Sequence, residues 1–406
     1  MPKFKKFNRC DLFIVIWGLY VLQGILYPQG IINQLLQLIM ILWGIIIACK
    51  YIFSVYNVPN VIRALSILLM MYIVYGAVLI MFGGNAVIVG VGAPSTYAYL
   101  QTSLNSLLPI FVFYHYSRLG FLTENRIKRY FIIFVPIIIA LFIAAQNRIL
   151  IETDSEEITN NVGYMFLSLL PYVFFFYKKP VFQYIMIAVL LVFVILSVKR
   201  GAVLLMMLGV LFFMFSPFNR NSYQRRILNL LLSVALIIFA FYFVQYRLNT
   251  SEYFVSRIES TLEGNASGRD LIYQSIWEEI SQEQSLTKFL FGRGANSTIA
   301  IAGNYAHQDW LETACNNGVL GIGVLLYFFI SLFYTLLKNK KTLSPYLLNA
   351  FICLCFITFS KTMFSMSIQN LDLSQSILLG YFVYKVGCSE VRSKCHNMLK
   401  LDSSLI

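Results

Sequence analysis

Apolar runs recur along this chain, each close to the length that crosses a bilayer, and they restrict the fold more than any motif does. About 20 apolar residues are needed to cover a hydrocarbon core of roughly 30 Å. Twelve candidate runs lie at 11–27, 31–49, 63–82, 98–116, 130–145, 162–177, 181–198, 201–215, 227–246, 318–337, 346–365 and 371–387. The expected fold is therefore an all-α integral membrane protein of twelve spans. Only 12% of the 406 residues are charged and 59% are hydrophobic, whereas a soluble domain carries about 25% charged residues. Soluble enzymes, disordered scaffolds and disulfide-stapled secreted domains are excluded. The seven cysteines contain no CxxC pair, so neither a disulfide framework nor a zinc site is expected.

Charge then orients the chain, because Lys and Arg concentrate in cytoplasmic loops. With the N-terminus inside, Lys3, Lys5, Lys6, Arg9, Arg126, Lys128, Arg129, Arg225, Arg226, Lys338, Lys340 and Lys341 fall on the inner side. The acidic stretch Glu152, Asp154, Glu156 and Glu157 falls outside, and both termini are cytoplasmic. No small-residue cleavage site follows the first run, which reads as a retained span. The net charge of +13 follows this loop rule, so no nucleic-acid partner is expected. Three segments result: spans one to nine over 1–246, a long outer loop over 247–316, and the last three spans with a tail over 317–406. Long loops on a rigid scaffold are where function concentrates.

The run from Val181 to Phe215 is apolar except for Ser197, Lys199 and Arg200 near its centre. It must fold as a tight hairpin that puts both cations near the outer interface, against the charge rule. Snorkelling to lipid headgroups is one explanation. An anion site is the other, and it is favoured because cations at membrane depth are costly and mostly functional. In the long loop, Ser267, Gly268, Arg269 and Asp270 match a capping box, so a helix is expected from Gly268. Ile272, Tyr273, Ile276, Trp277 and Ile280 would form its apolar face, with Arg269 on the same side. A guanidinium beside a helix N-terminus suits a diphosphate.

Phe291, Gly292, Arg293 and Gly294 read as a tight turn that presents Arg293 as a weaker anion candidate. His307 opens the stretch HQDWLETACNNG. If that stretch is helical, His307 shares a face with Trp310, Leu311 and Ala314, while Asp309 and Glu312 share another. The histidine is either a packing residue or a general base. Asp309 and Glu312 are alternative bases, sugar-binding carboxylates or a solvated face. The acidic run from Glu152 to Glu157 could hold a divalent cation, but a solvated outer loop explains it better. Gln101, Thr102, Ser103, Asn105 and Ser106 make the fourth run too polar for lipid, so it should line a cavity or an interhelical polar contact.

These pieces together resemble the bacterial O-antigen polymerase and O-antigen ligase superfamily. The resemblance rests on Asn160-Asn161-Val-Gly before a span, on SVKRGA at the hairpin, on GRDLIYQSIW in the long loop, and on FGRGANS followed by AHQDWLETACNNGVLGIG. It implies about twelve transmembrane helices with one large, partly helical periplasmic loop in a bacterial inner membrane. It also implies an inverting, metal-independent and cofactor-free glycosyltransferase whose donor glycan is carried on polyprenyl (undecaprenyl) diphosphate. The family's two arginines fall on Arg200 and Arg269, and its histidine on His307. Gln308 stands where an asparagine is usual, and Lys199 precedes Arg200.

The implied roles are Arg200, Arg269 and Arg293, with Lys199, against the leaving diphosphate, and His307 as base. Trp277, Trp310 and Tyr305 are candidate faces for sugar rings, packing at the membrane interface being the alternative. A polymerase acting on a lipid-linked repeat unit is preferred, with a chain-length regulator as an expected partner. A ligase acting on lipid A core is the first alternative, and a twelve-helix oligosaccharide flippase the second. The absence of duplicated halves speaks against the flippase.

Overall fold

A computed structural model describes residues 8–26, 30–54, 58–83, 94–95, 97–153, 159–216, 223–263, 268–368 and 370–402, and every regular element among them is helical. The first half contains α1 (Arg9–Leu26), α2 (Ile31–Ile52), α3 (Asn60–Phe82), α4 (Ala98–Arg118), α5 (Glu124–Thr153) and α6 (Gly163–Val173), which a short 3-10 turn continues through Phe176. Next come α7 (Pro180–Leu196), α8 (Arg200–Phe215) and α9 (Tyr223–Thr250). Four shorter helices follow: α10 (Glu252–Leu262), α11 (Arg269–Ser281), α12 (Leu286–Phe291) and α13 (Ser297–Ala302). The chain closes with α14 (Asp309–Lys338), α15 (Pro345–Lys361) and α16 (Leu373–Asp402).

Each of the twelve apolar runs contains a helix. Five of these, in α2, α3, α5, α9 and α14, are long and apolar enough to cross a membrane. The helices of α6, α7, α8 and α15 are apolar but shorter. Outward faces carry Leu35, Ile46, Val74, Leu231 and Ile330, all exposed, and only 17% of the most apolar stretch of α9 is buried. Water would not tolerate such a continuous apolar surface, whereas lipid does.

α4 is the polar exception and lies inside, with Ser103 through Tyr114 almost entirely buried. Its hydroxyls bond locally, as Ser103 Oγ does to the Tyr99 carbonyl at 2.8 Å, or across to the segment just before α16, where Ser106 Oγ accepts from Leu371 N at 3.1 Å. At the far end of the bundle, Asp11 of α1 accepts from Tyr130 Oη at 2.7 Å and Arg126 Nε at 3.3 Å, both from α5. One carboxylate thus locks α1 to α5 through two donors on successive turns.

Three expectations change. The helix expected from Gly268 begins at Arg269, because Gly268 adopts φ 73° and no side chain caps it; Ser267, Asp154, Glu156 and Glu157 lie outside the described residues. Its packed face excludes Trp277, which is 64% exposed, and centres on Ile276, buried against Ala306, Leu311 and Cys315. The third change concerns the tenth span, which starts at Asp309 and breaks at Gly318 (φ 66°, ψ −162°).

That break frees carbonyls which the FGRG turn then takes. Arg293 N donates to Cys315 O at 2.9 Å and Gly294 N to Asn316 O at 3.0 Å. The turn can approach only because glycine stands on both sides. A β-carbon on Gly318 would lie 2.5 Å from Gly292 N and 2.6 Å from Leu290 O. Gly318→Val should therefore lower stability by at least about 2 kcal/mol through backbone strain and overlap. Gly323→Val in the same helix, where nothing lies within 4 Å of the added β-carbon, should be nearly neutral. Thermal unfolding of the two purified variants in detergent measures the difference.

Candidate functional site

One end of the bundle gathers all four sequence pieces. Asn160 is buried, donates its amide N–H to Ser197 O at 2.9 Å, and uses its side chain to bond Phe142 O at 3.1 Å and Val162 N at 3.0 Å. This fixes the loop before α6 against the α7–α8 hairpin. The hairpin's approach is close, since a β-carbon on Gly201 would sit 2.6 Å from Tyr164 Oη and 2.8 Å from Phe364 Cβ. The Phe364 carbonyl in turn accepts from Arg269 Nη1 at 3.4 Å, which ties the long loop to the same point. FGRGANS joins through Ser297, whose Oγ bonds Asn316 Oδ1 at 2.7 Å.

Among the described residues, Val198 (φ 52°), Asn296 (φ 63°) and His307 (φ 55°) are the non-glycines with left-handed backbones. Such a conformation costs on the order of 1–2 kcal/mol per residue. Val198 immediately precedes Lys199, while Asn296 and His307 line the cavity beside it. Strained backbone therefore concentrates where the candidate side chains are presented.

The cavity holds about 1000 Å³ and is lined by Lys199, Arg269, His307, Tyr305 and Lys361, together with residues of α1, α2 and α4. No ion pair joins Lys199 or Arg269 to a carboxylate among the described residues. Burial, then Arg269, then Arg257 push Lys199 down to about 8. Burial, then Arg269, then Lys199 push His307 down to about 4, so its imidazole is neutral at pH 7 and able to accept a proton. Lys361 is buried and compensated: its Nζ lies 3.2 Å from Asp372 Oδ2, which also accepts from Ser168 Oγ at 2.6 Å, and 5.5 Å from the centre of the Tyr164 ring.

Other candidates stand apart from this cavity. Arg200 opens α8 next to Lys199 and feels the charges of Arg257 and Arg269, but it does not line the wall. Arg293 is held by Glu279 at 2.6 Å and Glu283 at 2.5 Å. Asp309 is 2% exposed and accepts from the backbone N–H groups of Ser367 (2.7 Å) and Ile368 (3.0 Å). Glu312 is equally buried, and accepts from Thr298 Oγ1 at 2.7 Å and from Ala306 N and Asn316 Nδ2 at 2.9 Å each. Trp310 donates to Thr362 Oγ1 at 2.9 Å and packs on Phe359. The side chains of Asp309, Glu312 and Trp310 tie other segments to α14, that of Arg293 holds Glu279 and Glu283 at the end of α11, and none of the four lines the wall.

His307 also departs from expectation. It precedes α14, with Gln308 extended at the cap, so it shares no helix face with Trp310, Leu311 or Ala314. Of the three aromatic candidates only Tyr305 lines the cavity. Sequence reasoning missed Arg257, Lys361 and Asp372. The signal for Lys361 was available, as a lone lysine ends the apolar run FITFSK.

The family described as O-antigen ligase matches residues 185–326, from α7 into α14. That range includes Lys199, Arg200, Arg257, Arg269 and His307, and excludes Lys361 and Asp372. No curated protein matches the chain.

Lys361→Met should destabilise the protein by about 3 kcal/mol, because it leaves a buried carboxylate without its partner. Pairing it with Asp372→Leu should recover most of that loss. Detergent unfolding midpoints of the single and double variants test this.

Proposed function

We propose a function that starts from the chain's membership, through residues 185–326, of the O-antigen polymerase and ligase superfamily. It is a glycosyltransferase of surface-polysaccharide assembly that moves a glycan from polyprenyl (undecaprenyl) diphosphate onto a lipid-linked repeat unit. The single observation that carries this reading is the juxtaposition of Lys199 and Arg269, two cations without a carboxylate partner among the described residues, with a neutral His307 in one cavity. The family resemblance implies the bacterial inner membrane, and the loop charges imply that both termini are cytoplasmic and the cavity faces the periplasm.

The acceptor hydroxyl attacks the anomeric carbon from the face opposite the diphosphate, and the new C–O bond inverts that centre. The bond from the anomeric carbon to the phosphate oxygen breaks, and its electron pair leaves with the diphosphate. The hydroxyl proton passes to the His307 imidazole. Negative charge grows on the leaving oxygen, where prepositioned donors on Arg269 and Lys199 lower the barrier. Arg200 and Arg257, one step behind, add to the positive field. Arg293 belongs to the support of the loop, since its two carboxylates already neutralise it.

A ligase that delivers the glycan to lipid A core uses the same donor chemistry, and the matched family carries that description. Polymerase is preferred on the scattered sequence motifs, as suits the more divergent of the two activities, and the match over residues 185–326 does not separate the two. Deleting the gene and resolving surface lipopolysaccharide by length separates them. Loss of a polymerase leaves core bearing one repeat unit. Loss of a ligase leaves bare core and accumulated lipid-linked polymer.

Arg269→Ala should slow transfer about 10- to 100-fold, as expected for one charge-assisted contact, and His307→Ala should abolish long chains at normal membrane levels. A base held down to about 4 by burial and two cations predicts a rate that is flat from pH 8 to about pH 5 and falls below it. Arg269→Gln removes one depressing charge, so its acid limb should move to higher pH. Both are read from pH–rate profiles in proteoliposomes.

A further inference from the structure

The cavity's lining is of two chemical kinds. Lys199 of the α7–α8 hairpin, Arg269 of the long loop and Lys361 of α15 give it cations, whereas α2 and α4 contribute a separate wall of Gln37, Gln101, Thr102 and Asn105. That wall carries amides and a hydroxyl but no charge. We infer that the α2–α4 wall binds the neutral glycan of the acceptor, holding its sugar hydroxyls while Lys199 and Arg269 hold the diphosphate. The inference rests on the proposed transferase reading and adds to it the location and chemistry of a second subsite.

Four observations carry it. Gln101 Nε2 donates to Gln37 Oε1 at 2.5 Å, tying the first turn of α4 to the second turn of α2. With that bond made, Gln37 still has both N–H donors and Gln101 still has its acceptor. Asn105 makes no hydrogen bond among the described residues, so both ends of its amide remain for a ligand. The third observation is position: Gln37 lies six residues beyond the start of α2 and Asn105 seven beyond the start of α4, or about 10 Å along each axis. Amides at that depth are costly against lipid and cheap only where something polar meets them.

The fourth is the exclusion of other ligands. A phosphate is drawn to Lys199 and Arg269, and a prenyl tail gains nothing from amides. A divalent cation needs carboxylate oxygens, and the carboxylate lining the cavity, Asp372, is already engaged by Lys361 and Ser168. A polyol alternates donors and acceptors without net charge, which is what this wall offers. The volume of about 1000 Å³ is at the upper end for single ligand pockets, consistent with two ligands meeting in one space.

The test compares Gln37→Leu/Gln101→Leu and Asn105→Ala with Arg269→Ala in the full-length protein. Chain extension is read from lipopolysaccharide length in the host, and carrier binding from native mass spectrometry with undecaprenyl diphosphate as the probe. The double variant should slow extension about 10-fold or more, and Asn105→Ala about 3-fold, as lost neutral hydrogen bonds predict. Both should bind undecaprenyl diphosphate like the wild type, and Arg269→Ala should lose that binding.

Wild-type extension in both wall variants overturns the inference, and leaves the donor reading intact if Arg269→Ala still loses the carrier. Loss of carrier binding in the wall variants also overturns it, since the wall would then belong to the donor. Should the double variant fail to reach the membrane, Asn105→Ala decides alone. Wild-type carrier binding by Arg269→Ala defeats the transferase reading, and this subsite with it.

Discussion

Lys199 and Arg269 repel each other, and moving such cations out of water costs several kcal/mol per ion unless an anion or a dipole replaces the lost hydration. Neither has a carboxylate partner among the described residues, yet both line one cavity with His307. The molecule sustains this arrangement by anchoring the backbones that present them. The hairpin is pinned by Asn160 and by the close approach of Gly201 to Tyr164 and Phe364, and Arg269 is tied to the Phe364 carbonyl. A cavity held at positive potential is then ready for an anion before any anion arrives, which is the physical content of preorganisation.

The anchoring depends on a helix that is broken deliberately. At Gly318 the backbone of α14 leaves the helical region, and the carbonyls of Cys315 and Asn316 turn to the FGRG turn. Buried carboxylates complete the joint, with Asp309 holding the segment after α15 and Glu312 holding Thr298 and Ala306. His307 is suspended between these two fixed points in a left-handed conformation. Residues that resemble catalytic acids in the sequence thus act as the frame that aims the imidazole.

Much of this was legible beforehand, and what was not has a physical cause. Apolar runs announce helices because lipid admits little else, and each of the twelve runs contains one. The cations of SVKRGA stood out because they oppose the charge rule, and the polarity of the fourth run announced a helix turned inward. The helix expected through His307 did not form there because Gln308 is extended at the cap, a local backbone choice enforced by contacts to Thr362 and Thr298 from distant segments. Nothing local distinguishes Arg293, neutralised by two carboxylates, from Arg269, which has none among the described residues.

The sequence by itself determined that the chain is a helical membrane protein and which few polar residues stand against the charge rule. These are decided by transfer free energy, which is local and summed along the chain. The tertiary structure alone decided which cations share a cavity, which carboxylates are spent on backbone amides, and that Lys361 and Asp372 meet. Those facts depend on pairings between segments far apart in the chain, made where burial turns a hydrogen bond or a charge from a minor term into a decisive one.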